Sequence, residues 1–224
     1  MDNKQNQHTA DSAPLPCGEQ GQLEDGLNVH PCPVRGELPS STRGLVGGGS
    51  DNSLELLPLV DPEGNILGSA TRGECHDGTM RLHPVVHLHV FNGKGELYLQ
   101  KRPEWKTIQP GKWDTAVGGH VDFGEDIRTA LLREASEEIG IDASQATLIE
   151  KYVFTSECEK ELVYAHRLTT DAPIAPSAET DGGRFWTMQE IHDAIGKGML
   201  TPNFEQEFVR LFGGDEGLGN SRKS

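Results

Sequence analysis

Three glutamates stand at spacings that could hold a divalent cation. Glu134, Glu137 and Glu138 are three or four residues apart or adjacent, so on a helix their side chains lie close together. Like charges at such spacing destabilise an isolated helix by about 0.2–0.5 kcal/mol per pair. A hard divalent cation, which prefers carboxylate oxygens, would offset that repulsion. Acidic runs on helices are more often solvated faces, so charge alone does not decide between the two.

The spacing of the surrounding residues makes the pattern specific. Residues 119–141 read GHVDFGEDIRTALLREASEEIGI and resemble the Nudix box, G-x5-E-x7-R-E-U-x-E-E-x-G-U, where U is a bulky aliphatic residue. Ala135 departs from the pattern at the first U position, which concerns packing and not metal ligation. The positions that match are Gly119, Glu125, Arg133, Glu134, Glu137, Glu138, Gly140 and Ile141.

The resemblance to the Nudix family implies a reaction and a set of roles. It implies a pyrophosphohydrolase that acts on an acid anhydride, the diphosphate linkage, with Mg²⁺ or Mn²⁺ as the cofactor. The box glutamates Glu134, Glu137 and Glu138 would be metal ligands, one of which could act as the base, and the carbonyl of Gly118 would add an oxygen. Arg133 would orient a box glutamate, unless it is a surface ion-pair partner. Glu125 would bind or orient the substrate less directly.

A second resemblance covers the residues before and after the box. Residues 75–120 are similar to type I isopentenyl-diphosphate isomerase, which has the Nudix fold but moves a double bond. Its three metal-binding histidines and its Glu-x-Glu pair match His76, His83, His120, Glu159 and Glu161. Its diphosphate-binding basic residues match Arg102 and Lys106. The resemblance implies a second metal site that suits Mn²⁺ or Zn²⁺; the alternative is that these residues are structural histidines and surface charges.

Departures from the isomerase favour hydrolysis. Gly118 stands where the isomerase has its catalytic cysteine, and Asn203 stands where it has a tryptophan. The isomerase keeps only the last box glutamate, whereas this chain has all three. Glycine has no side chain that could donate a proton to an alkene. We therefore expect a hydrolase on an isomerase-like frame; the alternatives are a non-catalytic diphosphate-binding regulatory module and, less favoured, an isomerase.

Hydrophobic periodicity predicts the elements that position these residues. Residues 126–139 are predicted to form a helix that Gly140 ends, followed by two later helices at 188–195 and 203–212. The predicted strands are 54–60, 65–70, 85–91, 96–102, 113–117, 146–154, 162–169 and 184–187. Strands with one central and two late helices predict an α+β protein, a Nudix-type mixed β-sheet sandwiched by helices.

Composition sets the domain limits and excludes some partners. Residues 1–52 are rich in Gly, Pro, Ser and Asn and are predicted to be a disordered tail or linker, followed by the Nudix domain at 53–213 and a flexible tail at 214–224. A net charge of −15 disfavours nucleic acid as a partner. Residues 1–16 lack the basic and apolar regions of a secretory signal, and no apolar run approaches the length of a membrane helix, so we expect neither feature. We expect a cytoplasmic enzyme with a small diphosphate substrate, chosen by the loops at 103–112 and 170–182; its oligomeric state is left open.

Overall fold

The computed structural model describes residues 53–106, 109–178 and 180–213. Its strands are β1 (Leu56–Val60), β2 (Ile66–Thr71), β3 (Leu82–Phe91), β4 (Leu97–Lys101), β5 (Trp113–Asp114), β6 (Val117–His120), β7 (Thr147–Thr155), β8 (Lys160–Thr169) and β9 (Gly183–Trp186). Its helices are α1 (Arg72–Cys75), α2 (Ile127–Ile139), α3 (Met188–Ala194) and α4 (Pro202–Phe212). The tails predicted at 1–52 and 214–224 lie outside the described residues.

The central sheet is mixed. Within the described residues, β1 and β2 form a two-stranded antiparallel sheet, and the other strands form a seven-stranded sheet in the order β5-β4-β3-β8-β7. β6 pairs with β3, and β9 pairs with β4. β3 and β8 run parallel, with His83 opposite Glu161, and β7 returns antiparallel to β8. The parallel pair at the middle brings residues from distant parts of the sequence side by side.

β3 is buried on both faces because other elements pack against each side of the sheet. Val86, Leu88 and Val90 pack against the apolar face of α2, which includes Ala135. On the opposite face, Val85 packs with residues of β7 and β8, and α3 and α4 cover the sheet further along. The predicted α+β class, a mixed sheet between helices, is confirmed.

The helix that carries the box agrees with its prediction. α2 begins after Asp126, whose side chain accepts a hydrogen bond from the backbone N–H of Thr129. It ends at Gly140, which has a φ of 67° in the left-handed region that glycine enters at little cost. Ala135 is fully buried, so the small residue at this box position is a packing residue of the core.

One prediction of local structure was wrong, and one short element was missed. Residues 113–117 do not form one strand: β5 pairs with β4, whereas β6 starts at Val117 and pairs with β3. Strand partners, which the local sequence does not reveal, decide where the chain changes direction. The short helix α1 was missed, because four residues are too few for periodicity. Its available signal was the capping box between Thr71 and Glu74.

Candidate functional site

Arg133 connects the acidic residues of α2 to the loop that precedes it. Its Nε and Nη2 donate to the two carboxylate oxygens of Glu125 at 3.0 and 2.8 Å. Its Nη1 donates to Glu134 at 2.7 Å and lies 3.5 Å from Glu137, and Nη2 also donates to the carbonyl of His120 at 3.0 Å. The guanidinium hydrogen bond lowers the pKa of Glu125. Arg133 therefore fixes the orientation of several carboxylates at once.

The glutamates of the box differ in burial. The side chain of Glu137 is 62% exposed, whereas that of Glu134 is 14% exposed. Burial raises the pKa of Glu134, although Arg133 opposes this shift. Burial and the neighbouring Glu134 raise the pKa of Glu138 to about 8. Gln100 donates to Glu138 at 3.1 Å, and the backbone of Gly118 also hydrogen-bonds to it. A cation bound beside Glu138 would replace the proton that its raised pKa favours, and the carboxylate of Glu134 lies next to it.

β6 separates the box from the second group of predicted ligands. Its residues alternate in direction, with Gly119 facing α2 and Gly118 and His120 facing the opposite side of the sheet. A Cβ on Gly119 would overlap the carboxyl group of Glu134, whereas a Cβ on Gly118 would make only ordinary contacts. The box and the predicted histidine ligands therefore lie on opposite sides of one strand.

The predicted histidine and glutamate ligands come together. The nearest ring nitrogens of His76, His83 and His120 all lie within 4.8 Å of one another. His76 Nε2 is 2.9 Å from His120 Nε2, and His76 Nδ1 is 2.5 Å from Glu159 Oε2. Glu161 lies opposite His83 in the parallel pairing of β3 and β8. Residues from three strands, from the end of α1 and from the loop before β8 are thus brought together.

The chemistry of this cluster fits a metal ion. Burial lowers the pKa of His83 and, more strongly, that of His120, so both rings are neutral and can offer a lone pair. Burial, reinforced by Glu159, raises the pKa of Glu161 to about 7. Among the described residues, His83 Nε2 and Glu161 Oε2 are buried without a hydrogen-bond partner. Buried polar atoms without partners are costly, and a cation bound between them would remove that cost.

The two basic residues predicted to bind phosphate make different contacts. Arg102 pairs with Asp114 at 3.2 Å, near the end of β4. Lys106 lies over the ring of Trp105, 5.0 Å from its centroid, and Trp105 is 58% exposed. Trp113 and Trp186 pack in the core under α3 and α4. Of the three tryptophans, Trp105 is therefore the one available to a ligand.

Sequence reasoning missed a buried charged pair beside Gly118. The predicted strand at 85–91 contains His87 and His89, which do lie in β3, but the sequence assigns them no role. Glu207 of α4 accepts from His87 Nδ1 at 2.9–3.0 Å and from the hydroxyl of Tyr152 at 3.0 Å. Burial would lower the pKa of His87, but Glu207 overcomes this effect and raises it to about 9. The available signal was a glutamate on the apolar face of α4, between Phe204 and Phe208.

Comparison with known proteins identifies the family. Residues 81–208 match the NUDIX domain, so the chain belongs to the Nudix family. An isopentenyl-diphosphate Delta-isomerase of Clavibacter michiganensis is 29% identical over 142 residues, which is 61% of this chain and 73% of the relative. An uncharacterized Nudix hydrolase of Yersinia pestis is 31% identical over 137 residues, covering 61% of this chain and 75% of the relative. The chain thus falls in the isomerase-like branch that its motifs indicated.

Solved structures share the fold. DR0079 from Deinococcus radiodurans superposes with a TM-score of 0.59 at 23% identity, over 70% of this chain and 99% of the other. A MutT protein from Methanosarcina mazei gives a TM-score of 0.53 at 24% identity, over 62% of this chain and 98% of the other. In the part of the chain that the structure describes, no helix has the length and apolar character needed to cross a bilayer.

Proposed function

We propose that this chain hydrolyses a diphosphate linkage in a small phosphorylated substrate, with Mg²⁺ or Mn²⁺ as its cofactor. The substrate would be a nucleoside diphosphate linked to another group, or a related diphosphate. The observation that carries the proposal is the complete carboxylate set of α2. Glu134, Glu137 and Glu138 are all present, and Arg133 holds the first of them next to Glu125.

Each residue of the box would have its own role in the reaction. Glu134 and Glu138 would hold the cation together with the carbonyl of Gly118, and Glu137 would complete the set from its exposed position. The bound cation would neutralise diphosphate charge and lower the pKa of a water molecule. Arg133 keeps Glu134 oriented through its 2.7 Å hydrogen bond. Glu138, whose pKa is raised to about 8, is a candidate for the group that accepts the proton of the attacking water.

The histidine cluster would serve as a second metal site. His76, His83, His120, Glu159 and Glu161 offer mixed nitrogen and oxygen ligands, which suit Mn²⁺ or Zn²⁺ better than Mg²⁺. Since β6 lies between this cluster and the box, one diphosphate bound along β6 could reach both. Arg102 and Lys106 would contact its phosphates from the end of β4 and the loop that follows.

Two other functions must be distinguished from hydrolysis. Relatives named as isopentenyl-diphosphate isomerases keep that possibility open, but glycine at position 118 offers no proton donor for an alkene. Asn203 of α4, at the position of the isomerase tryptophan, has a buried Oδ1 without a partner among the described residues. A regulatory module that only binds diphosphates would not need every box glutamate, and this chain retains them all.

A substrate panel tests the proposal. Nucleoside diphosphates linked to sugars, dinucleotides and isopentenyl diphosphate would be incubated with Mg²⁺ or Mn²⁺, and products followed by mass. Hydrolysis gives two phosphorus-containing fragments from at least one compound, and Glu137→Gln or Glu138→Gln lowers kcat by orders of magnitude. A product of the same mass that separates from isopentenyl diphosphate by chromatography would indicate an isomerase instead. Tight binding without turnover of any compound would indicate a regulatory module.

A further inference from the structure

Gln100 of β4 reaches the last glutamate of the box from the sheet. Its Nε2 donates to Glu138 Oε2 at 3.1 Å, although the two residues are 38 positions apart. Tyr98 packs in the core under α2, whereas Leu97 and Leu99 pack in the core under α3 and α4. Because side chains alternate along a strand, Gln100 lies on the same face as Tyr98 and therefore points to α2.

Two strands supply the hydrogen bonds that hold the Glu138 carboxylate. The backbone of Gly118 in β6 hydrogen-bonds to it, and so does the side chain of Gln100 in β4. Arg133, which holds Glu134 at 2.7 Å, makes no hydrogen bond to Glu138 among the described residues. The orientation of Glu138 is therefore set by the sheet, whereas that of Glu134 is set by a residue of α2 itself.

The Gln100 side chain starts from a fixed backbone, and burying its amide has a cost. β4 is paired on both edges at this residue, with Gly183 of β9 and Asp114 of β5. An ionised carboxylate only accepts hydrogen bonds, so the amide turns its NH₂ group toward Glu138. Within the described part of the chain, Gln100 Oε1 is then buried without a hydrogen-bond partner. An apolar residue would avoid that cost, so stability alone does not favour an amide at this position.

We propose that Gln100 is a positioning residue, which holds the Glu138 carboxylate in the orientation that binds the divalent cation. Hydrogen bonds to a metal-binding carboxylate fix its direction, and losing one typically costs about tenfold to hundredfold in metal affinity or activity. Gln100 thus acts on Glu138 as Arg133 acts on Glu134. The inference rests on the proposed function, since it concerns the same cation.

Mg²⁺ binding by variants of Gln100 tests this role. The Tm of the full chain would be measured at increasing Mg²⁺, because an ion that binds the folded state raises Tm according to its dissociation constant. Mg²⁺ is chosen because the nitrogen ligands of the histidine cluster suit it poorly. Gln100→Met keeps the length of the side chain and removes the donor. We expect it to bind Mg²⁺ about tenfold more weakly than wild type.

Gln189→Met is the matched control for Gln100→Met. Gln189 also donates to a carboxylate, that of Asp193 at 3.0 Å, but on the exposed surface of α3. We expect Gln189→Met to bind Mg²⁺ as tightly as wild type does. Gln100→Asn, whose amide is one methylene too short to reach Glu138, should match Gln100→Met and replaces it if that variant does not fold.

A double variant separates positioning from a general structural effect. Because Gln100 acts through Glu138, Gln100→Met should cause no further loss of Mg²⁺ affinity in a Glu138→Gln background. Wild-type Mg²⁺ affinity in Gln100→Met, or a further loss in the double variant, would overturn the inference and leave the hydrolase proposal standing. If Mg²⁺ does not raise the Tm of the wild-type chain, both are overturned.

Discussion

Gly119 lies directly against the carboxyl group of Glu134, so that β6 and α2 leave no room for a side chain between them. The strand that carries Gly118 and the helix that carries the three glutamates are thus in contact at this point. The glycine that opens the box is required by this approach and not by an unusual backbone angle.

Gly119→Ala should therefore disturb Glu134 in particular. The added methyl group has to displace the carboxylate, which breaks its hydrogen bond with Arg133 and costs about 1–3 kcal/mol of stability. We expect kcat on the best diphosphate of the panel to fall at least tenfold. Gly68→Ala is the control, because a Cβ on that exposed strand residue meets nothing within 4 Å. Normal turnover by Gly119→Ala would show that Glu134 does not act in the reaction.

Arg133→Lys tests whether the guanidinium orients the carboxylates. Lysine keeps the charge but cannot bind both oxygens of Glu125 while reaching Glu134 and the carbonyl of His120. We expect a tenfold to hundredfold lower kcat with a smaller change in KM, measured by steady-state kinetics. Arg210→Lys alters an exposed ion pair with Glu150 and should change stability by less than about 0.5 kcal/mol. If Arg133→Lys keeps the wild-type kcat and changes stability as little as Arg210→Lys does, Arg133 is only a surface ion-pair partner.

Glu138 should give the metal-free protein a pH-dependent loss of stability. Its pKa is about 8 in the folded chain, whereas the ordinary pKa of a glutamate is 4.5, so the folded state binds more protons between these two pH values. Stability from this group is therefore present below about pH 4.5 and is lost as the pH rises toward 8. Glu138→Gln should flatten that profile and raise the metal-free Tm at pH 8 by roughly 2–8 °C, for a gain of about 1–2 kcal/mol.

Added Mg²⁺ should reverse the order of stability of the wild type and Glu138→Gln at pH 8. It should stabilise wild type most at pH 8, where Glu138 gives up its proton most readily, and stabilise Glu138→Gln little, because an amide is a poor ligand. The exposed Glu137→Gln is the control for the metal-free pH profile. Equal stabilisation of wild type and Glu138→Gln by Mg²⁺ would exclude Glu138 as a ligand.

The histidine cluster should retain a transition metal through purification. Protein prepared without a histidine tag or added metal should contain about one more ion per chain than the His76→Ala/His83→Ala double variant, as measured by elemental analysis. His192→Ala, on α3 and remote from the cluster, should match wild type. Equal metal content in all three proteins, with no tightly bound ion, would show that these residues hold no metal, without affecting the box assignment.

The parts of the site that could be predicted are those whose determinants are local. The helix from Ile127 to Ile139 follows from its apolar period, its cap at Asp126 and the glycine that ends it. The division of residues 113–120 into β5 and β6 could not be predicted, because it depends on pairing with two different strands. Periodicity could not predict the histidine cluster either. Only the resemblance to isopentenyl-diphosphate isomerase indicated it.

The pair of His87 and Glu207 shows this limit most clearly. The two residues are 120 positions apart and meet only because α4 packs on the face of β3 that carries His87. Because successive side chains of a strand alternate in direction, His87 and His89 face away from Val86 and Leu88. Alternation could not show that a second buried layer, with a carboxylate in it, covers that face.

Hydrolysis at phosphorus is tested most directly by the fate of solvent oxygen. The chain would be incubated with the best diphosphate of the panel and Mg²⁺ or Mn²⁺ in H₂¹⁸O, and the products analysed by mass. The account predicts that one of the two phosphorus-containing products gains a single ¹⁸O, that this requires the cation, and that Glu138→Gln abolishes it. Formation of an isomer of unchanged mass, separated from its substrate by chromatography, or the absence of any ¹⁸O-labelled phosphate product across the panel, would contradict it.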